Sequence, residues 1–209
     1  MYVVSIDKQA VNQMPQVIFP GHIHIISAVS QVKSAVAALR TAEIVGFDTE
    51  TRPCFRRGER HQVALLQLST DSDAFLFRLH KTGIPDPLKR FLEDDAMIKV
   101  GLSTGDDFHQ LERVCDCKPT GFVELQQLVK QYSITDMSLQ KIYAILFNQK
   151  ISKGQQLSNW EAPQLTEAQQ NYAAIDAWAC LRIYRYLQSG AFIPDRSPYW
   201  HELIEEENQ

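Results

Sequence analysis

Ile44-Val-Gly-Phe-Asp-Thr-Glu50 is a short apolar run that ends in two acids. Its composition predicts a strand over Ile44–Thr49, and residues i and i+2 of a strand share a face. Asp48 and Glu50 therefore project side by side, about 7 Å apart along the backbone. They stand at the strand's C-terminal end, where sites in α/β sheets tend to form. A turn acid at Asp48 and a solvated strand end at Glu50 is the competing structural reading. The central character of the strand weakens it, because an unpartnered carboxylate in an apolar element is costly.

Two further places carry acids in similar surroundings. In Thr104-Gly-Asp-Asp107 the helical stripe Asp107, Leu111 and Val114 faces inward, whereas Asp106, Gln110 and Arg113 share a polar face. Periodicity thus favours Asp107 over its neighbour. The same segment also reads as a capping box with Asp in place of Glu, which would spend Asp107 on the helix end. Farther on, Tyr172, Asp176, Ala179 and Ile183 form one helical stripe, with Tyr172 one turn before the acid. Tyr172 either fills core or orients a water. Brought together, four carboxylates repel unless cations sit between them, which points to a divalent-metal site and phosphate chemistry.

The pattern outside these motifs predicts a strand at Ile23–Ala28, a helix capped by Ser30 to about Arg40, and strands at Val63–Leu68, Ala74–Phe77 and Met97–Val100. Helices are expected at Pro87–Leu92, 105–115, 122–131 and 138–147. The last long helix begins at the capping box Thr166-Glu-Ala-Gln169 and stops before Gly190. Three consecutive strands followed by alternation give an α/β fold, a mixed β-sheet flanked by helices. The tail from Pro194 through Glu205-Glu-Glu-Asn-Gln209 reads as peripheral or frayed.

At 209 residues the chain fits a single domain, 1–209, able to bury a core without staples. Cys54, Cys115, Cys117 and Cys180 are irregularly placed and complete no zinc set, consistent with reduced thiols and a cytoplasmic location, with nucleoid and nuclear compartments left open. Neither a signal peptide nor a membrane span is expected. The net charge of −4 is not that of a generic nucleic-acid binder, yet divalent ions at four acids would neutralise much of it. In the loop Thr51-Arg-Pro-Cys-Phe-Arg-Arg-Gly-Glu-Arg60, four arginines are opposed only by Glu59. Guanidinium groups suit phosphates and Phe55 could stack on a base, so Arg52, Arg56 and Arg57, with Thr49 and His109, are candidate substrate contacts. A solvated polar loop and a lone exposed histidine are the plainer alternatives.

The order Phe47-Asp-Thr-Glu50, Gly101-Leu-Ser-Thr-Gly-Asp-Asp107 and Leu165-Thr-Glu-Ala-Gln-Gln-Asn-Tyr172-Ala-Ala-Ile-Asp176 resembles the DEDD superfamily of 3′–5′ exonucleases. Within it the chain is similar to the tyrosine-bearing branch that includes ribonuclease D and the exonuclease domain of the Werner-syndrome helicase. The likeness runs from about residue 42 to 187 and includes Val63-Ala-Leu-Leu-Gln-Leu68, Gly121-Phe-Val-Glu-Leu125 and Leu157-Ser-Asn-Trp160. It implies a ribonuclease-H-like fold, with metal binding by Asp48, Glu50, Asp107 and Asp176. Tyr172 would aid the attacking water. It further implies Mg²⁺ or Mn²⁺, two ions per site, and a nucleic acid with a free 3′ end as partner. A noncatalytic nucleic-acid-binding or scaffold domain and a hydrolase of short oligonucleotides are the other readings the sequence leaves open.

Overall fold

The computed structural model describes residues 1–56 and 58–203. Its first half runs β1 (Tyr2–Val4), α1 (Lys8–Gln13), β2 (His22–Ile26), α2 (Val29–Leu39), β3 (Ile44–Thr51), β4 (Val63–Ser69), β5 (Asp73–Arg78), α3 (Leu79–Thr82) and α4 (Asp86–Leu92). There follow β6 (Ile98–Gly101), α5 (Thr104–Val114), β7 (Phe122–Glu124), α6 (Leu125–Leu128), α7 (Leu139–Phe147), α8 (Glu167–Gln188) and β8 (Trp200–Glu202). Strands β2-β5-β4-β3-β6-β7, in that order, form one mixed sheet. β3, the strand of Asp48 and Glu50, is interior, antiparallel to β4 and parallel to β6.

Helices cover both faces. Strand alternation sends Val45 and Phe47 to one side, into a core with Val32, Leu39, Phe91 and Leu111. The opposite face of β3 lies under α8, and Gly46 makes that approach possible. A Cβ there would meet the Ala177 carbonyl oxygen at 1.8 Å, so any larger residue would lift the helix. α8 starts at the expected capping box: Thr166 Oγ1 accepts from the Gln169 N–H at 3.2 Å, and Gln169 Oε1 accepts from the Thr166 N–H at 3.0 Å.

Three expectations need correction. Residues 122–131 are not one helix: Gly121 turns the chain at φ +71°, Phe122–Glu124 pairs parallel beside β6 as strand β7, and only then do α6 and a 3₁₀ turn at Val129–Tyr132 follow. α2 starts after Ala28 rather than at Ser30, because Gln31 Oε1 reaches back to the Ser27 and Ala28 N–H groups. The tail is docked rather than frayed as far as Glu202, where β8 pairs antiparallel with β1, a strand that short composition windows missed. Tyr2 stacks on Trp200 there, ring centroids 5.5 Å apart. Residues Glu205–Gln209 lie outside the described residues. Helix α1, capped by Asp7, was likewise unforeseen. No helix among the described residues is long and apolar enough to cross a membrane.

Candidate active site

The close seating of α8 on β3 decides the geometry. Asp48, Glu50 and Asp176 each offer a carboxylate oxygen, and the three oxygens lie within 4.8 Å of one another. Asp48 and Glu50 are half-buried and Asp176 is buried. They border a cavity of about 600 Å³, whose wall includes Tyr172, Lys153 and Gln156. Tyr172 is held from behind by the fully buried Trp160, at 5.9 Å between ring centroids.

Burial and mutual repulsion both oppose ionisation of these acids. Desolvation and the charges of Asp176, Glu50 and Asp107 hold the Asp48 carboxyl well above the usual carboxylate range. Desolvation, with the charges of Asp176 and Asp107, pushes Glu50 up to about 9. Asp176 is pushed up by burial to about 7, against the Tyr172 phenol and the positive charge of Lys153, which hold it down. The Tyr172 phenol is itself raised, by burial and then by Asp176 and Glu50.

Asp107 lies next to this trio but outside it. Its carboxylate is half-buried and accepts a hydrogen bond from Thr49 Oγ1, the residue between the two β3 acids. Burial raises it to about 6, and the Thr49 bond works against that rise. Asp106 is exposed. The capping-box reading of Thr104–Asp107 does not hold, because Glu124 takes that role from β7. Its carboxylate accepts from the Ser103 N–H at 3.0 Å, the Thr104 N–H at 2.8 Å and Thr104 Oγ1 at 3.0 Å. The helix end is thereby satisfied from outside, and Asp107 is released toward β3.

The substrate-contact candidates are less united. Arg52 is paired with Glu161 at 3.2 Å, so the expectation that Glu59 alone opposes the loop's arginines is corrected. Glu59 instead faces His61 at 3.2 Å, and His61 also reaches Glu161 at 3.2 Å. Arg56 is exposed beside Phe55, which is 79% exposed. Arg57 lies outside the described residues. His109 is exposed on α5, away from the cavity wall. Sequence reasoning missed Lys153 and Gln156. Both belong to an irregular segment before α8, where no periodicity marks a residue as facing a site.

A family model described as 3′–5′ exonuclease matches residues 23–190. The chain belongs to the 3′–5′ exonuclease family. This exonuclease-family domain is 34% identical over 155 residues to the mouse "Bifunctional 3'-5' exonuclease/ATP-dependent helicase WRN", covering 71% of this chain and 11% of that protein. It is 36% identical over 152 residues to "Exonuclease 3'-5' domain-containing protein 2" of Drosophila melanogaster, covering 71% and 26% respectively. The domain thus spans only a minor part of either relative's length. Among solved structures, Escherichia coli RNase D superposes with a TM-score of 0.72 at 24% identity, over 80% of this chain and 44% of that one. The Nibbler EXO domain of Aedes aegypti gives 0.72 at 20% identity, over 83% and 92%. The fold is therefore the ribonuclease-H-like mixed sheet of these neighbours. The family acts on nucleic acids, and an acidic cluster capable of holding a metal ion is present.

Proposed function

We propose that this domain is a divalent-metal-dependent 3′–5′ exonuclease that removes nucleoside 5′-monophosphates from a nucleic acid with a free 3′ end. The observation that carries this reading is the convergence of three carboxylates from β3 and α8 beside the Tyr172 phenol. The donor set fits hard cations. It consists of carboxylate oxygens alone, and burial of all three acids, with mutual repulsion added at Asp48 and Glu50, disfavours the negative charges that bound Mg²⁺ or Mn²⁺ would stabilise. In this reading Asp48, Glu50 and Asp176 would hold one ion, and Asp48, with Asp107, would hold a second. Two such ions, when bound, would supply an activated water and stabilise charge at the phosphate and the departing 3′-oxygen.

The chain's own groups then have definite tasks. Tyr172 keeps its proton across the physiological range, because burial and the neighbouring acids raise it. It can therefore hydrogen-bond the attacking water in a fixed orientation, a task Glu50 can share. Thr49 ties Asp107 to the strand that carries the other acids. Lys153, on the cavity wall, offsets part of the negative charge that would otherwise repel a phosphate. Attack of water on phosphorus breaks the P–O3′ bond, leaving a 3′-hydroxyl on the shortened strand and a 5′-phosphate on the released nucleotide. The test is incubation of 5′-labelled single-stranded and recessed-end DNA and RNA with Mg²⁺ or Mn²⁺. Ladders shortened from the 3′ end are expected, and a stall after only a few nucleotides would favour a short-oligonucleotide hydrolase.

A further inference from the structure

Gln67 is fully buried in β4, and neither its Oε1 nor its Nε2 has a hydrogen-bond partner among the described residues. It is the one side chain there with two such atoms, the others being Arg78 Nε and Trp160 Nε1. Buried amides are almost always paired, so an unpaired one calls for a role. Its place in the sheet supplies one. Gln67 is the direct antiparallel partner of Asp48, as Leu65 is of Glu50 and Ser69 of Gly46. Directly opposed residues share a face, with Cβ atoms about 4.5–5.5 Å apart. Gln67 thus stands on the α8 side of the sheet, beside the acid that the proposed site uses twice. Asp48 is poorly provided with donors of its own. Among the described residues, the group that holds its carboxyl down is the Thr49 backbone N–H.

We infer that Gln67 is a positioning residue: its Nε2, unpaired in this structure although it stands directly across from Asp48, donates a hydrogen bond to the Asp48 carboxylate when that carboxylate turns its other oxygen toward bound cations. The inference rests on the metal-site reading above. Carboxylates that ligate metals are themselves hydrogen-bonded by an outer partner, and loss of such partners weakens metal binding by about 10–100-fold. A neutral amide suits this position, since a fifth carboxylate would add repulsion and a lysine would compete with the cation.

The test compares the native protein with Gln67→Met, which keeps the length of the side chain and removes its polarity. Mn²⁺ binding is read from the free-ion electron paramagnetic resonance signal, without substrate, and thermal stability in chelator is read in parallel. A positioning role predicts Mn²⁺ affinity weakened at least about tenfold. It also predicts an unchanged or raised Tm in chelator, because an unpaired buried amide has been removed. Unchanged affinity with a lowered Tm would make Gln67 a packing residue and overturn the inference. If the native protein bound no Mn²⁺, the metal-site reading itself would fail, which is a distinguishable result. Should Gln67→Met not fold, the native protein still decides: its Gln67 side-chain amide resonances should shift on Mg²⁺ titration, and resonances that stay in place would refute the role.

Discussion

Asp106 and Asp107 are adjacent acids with opposite surroundings, and they show how one helical step separates a surface group from a site group. Asp106 is exposed, while Asp107 is half-buried and bonded to Thr49. Asp107→Ala should therefore lower kcat by at least about tenfold, as loss of a group ordering the metal environment does. Asp106→Ala should stay within about twofold, as surface changes usually do. Steady-state rates on one labelled strand compare the two, and a reversed ranking would refute the assignment of the inward face. Tyr172→Phe keeps the ring against Trp160 and removes only the hydroxyl. A fall in kcat of about 10²-fold with little change in KM is expected. An unchanged rate would return Tyr172 to core packing. The stripe Tyr172–Asp176 and the choice of Asp107 were legible because a 3.6-residue period marks an inward face. Lys153 was not, since an irregular segment has no period, and the pairing of Arg52 with Glu161 joins residues far apart in sequence.

At the scale of elements, the site depends on how β7 and α8 are seated. Glu124 closes the N-terminus of α5 from a neighbouring strand, taking the Ser103 and Thr104 backbone donors. Glu124→Ala should cost about 1–2 kcal/mol of stability in chemical denaturation. It should also lower activity through Asp107, which rides on the first turn of that helix. Stability lost with activity intact would separate the cap from the site. The role was hidden because Phe122, Leu125 and Val129 together carry a helix-like apolar spacing, and only the turn at Gly121 reveals a strand. The α8 capping box, by contrast, lies within four consecutive residues and was plain. β1 and β8 were not legible because each is only three residues long and, like the Arg52–Glu161 pair, their pairing joins residues far apart in sequence.

For the whole molecule, the clustered acids make folding stability a function of pH. Asp176 is raised from 3.8 to about 7 and Glu50 from 4.5 to about 9, so the folded state holds protons that the unfolded chain has already released. Their stabilising contribution is complete below about pH 4 and is lost as pH rises through the folded values. In chelator, Tm should fall from pH 5 to pH 8. Added Mn²⁺ should raise Tm, and by more at pH 8 than at pH 5, because it binds the deprotonated set. A Tm that rose with pH in chelator would contradict the electrostatics described. The mixed sheet, its helices and its acidic strand could be read in advance, as they follow from local periodicity. That α8 lies directly on β3 could not, as it turns on the backbone approach at Gly46.

The most direct measurement is the identity of the product released from a uniformly labelled single strand, DNA and RNA side by side, by the native domain and by Asp176→Asn in Mg²⁺ or Mn²⁺. The account predicts nucleoside 5′-monophosphates removed stepwise from the 3′ end of at least one polymer, with release abolished by the variant and by chelation. No mononucleotide from either polymer, or release undiminished by Asp176→Asn, would contradict it.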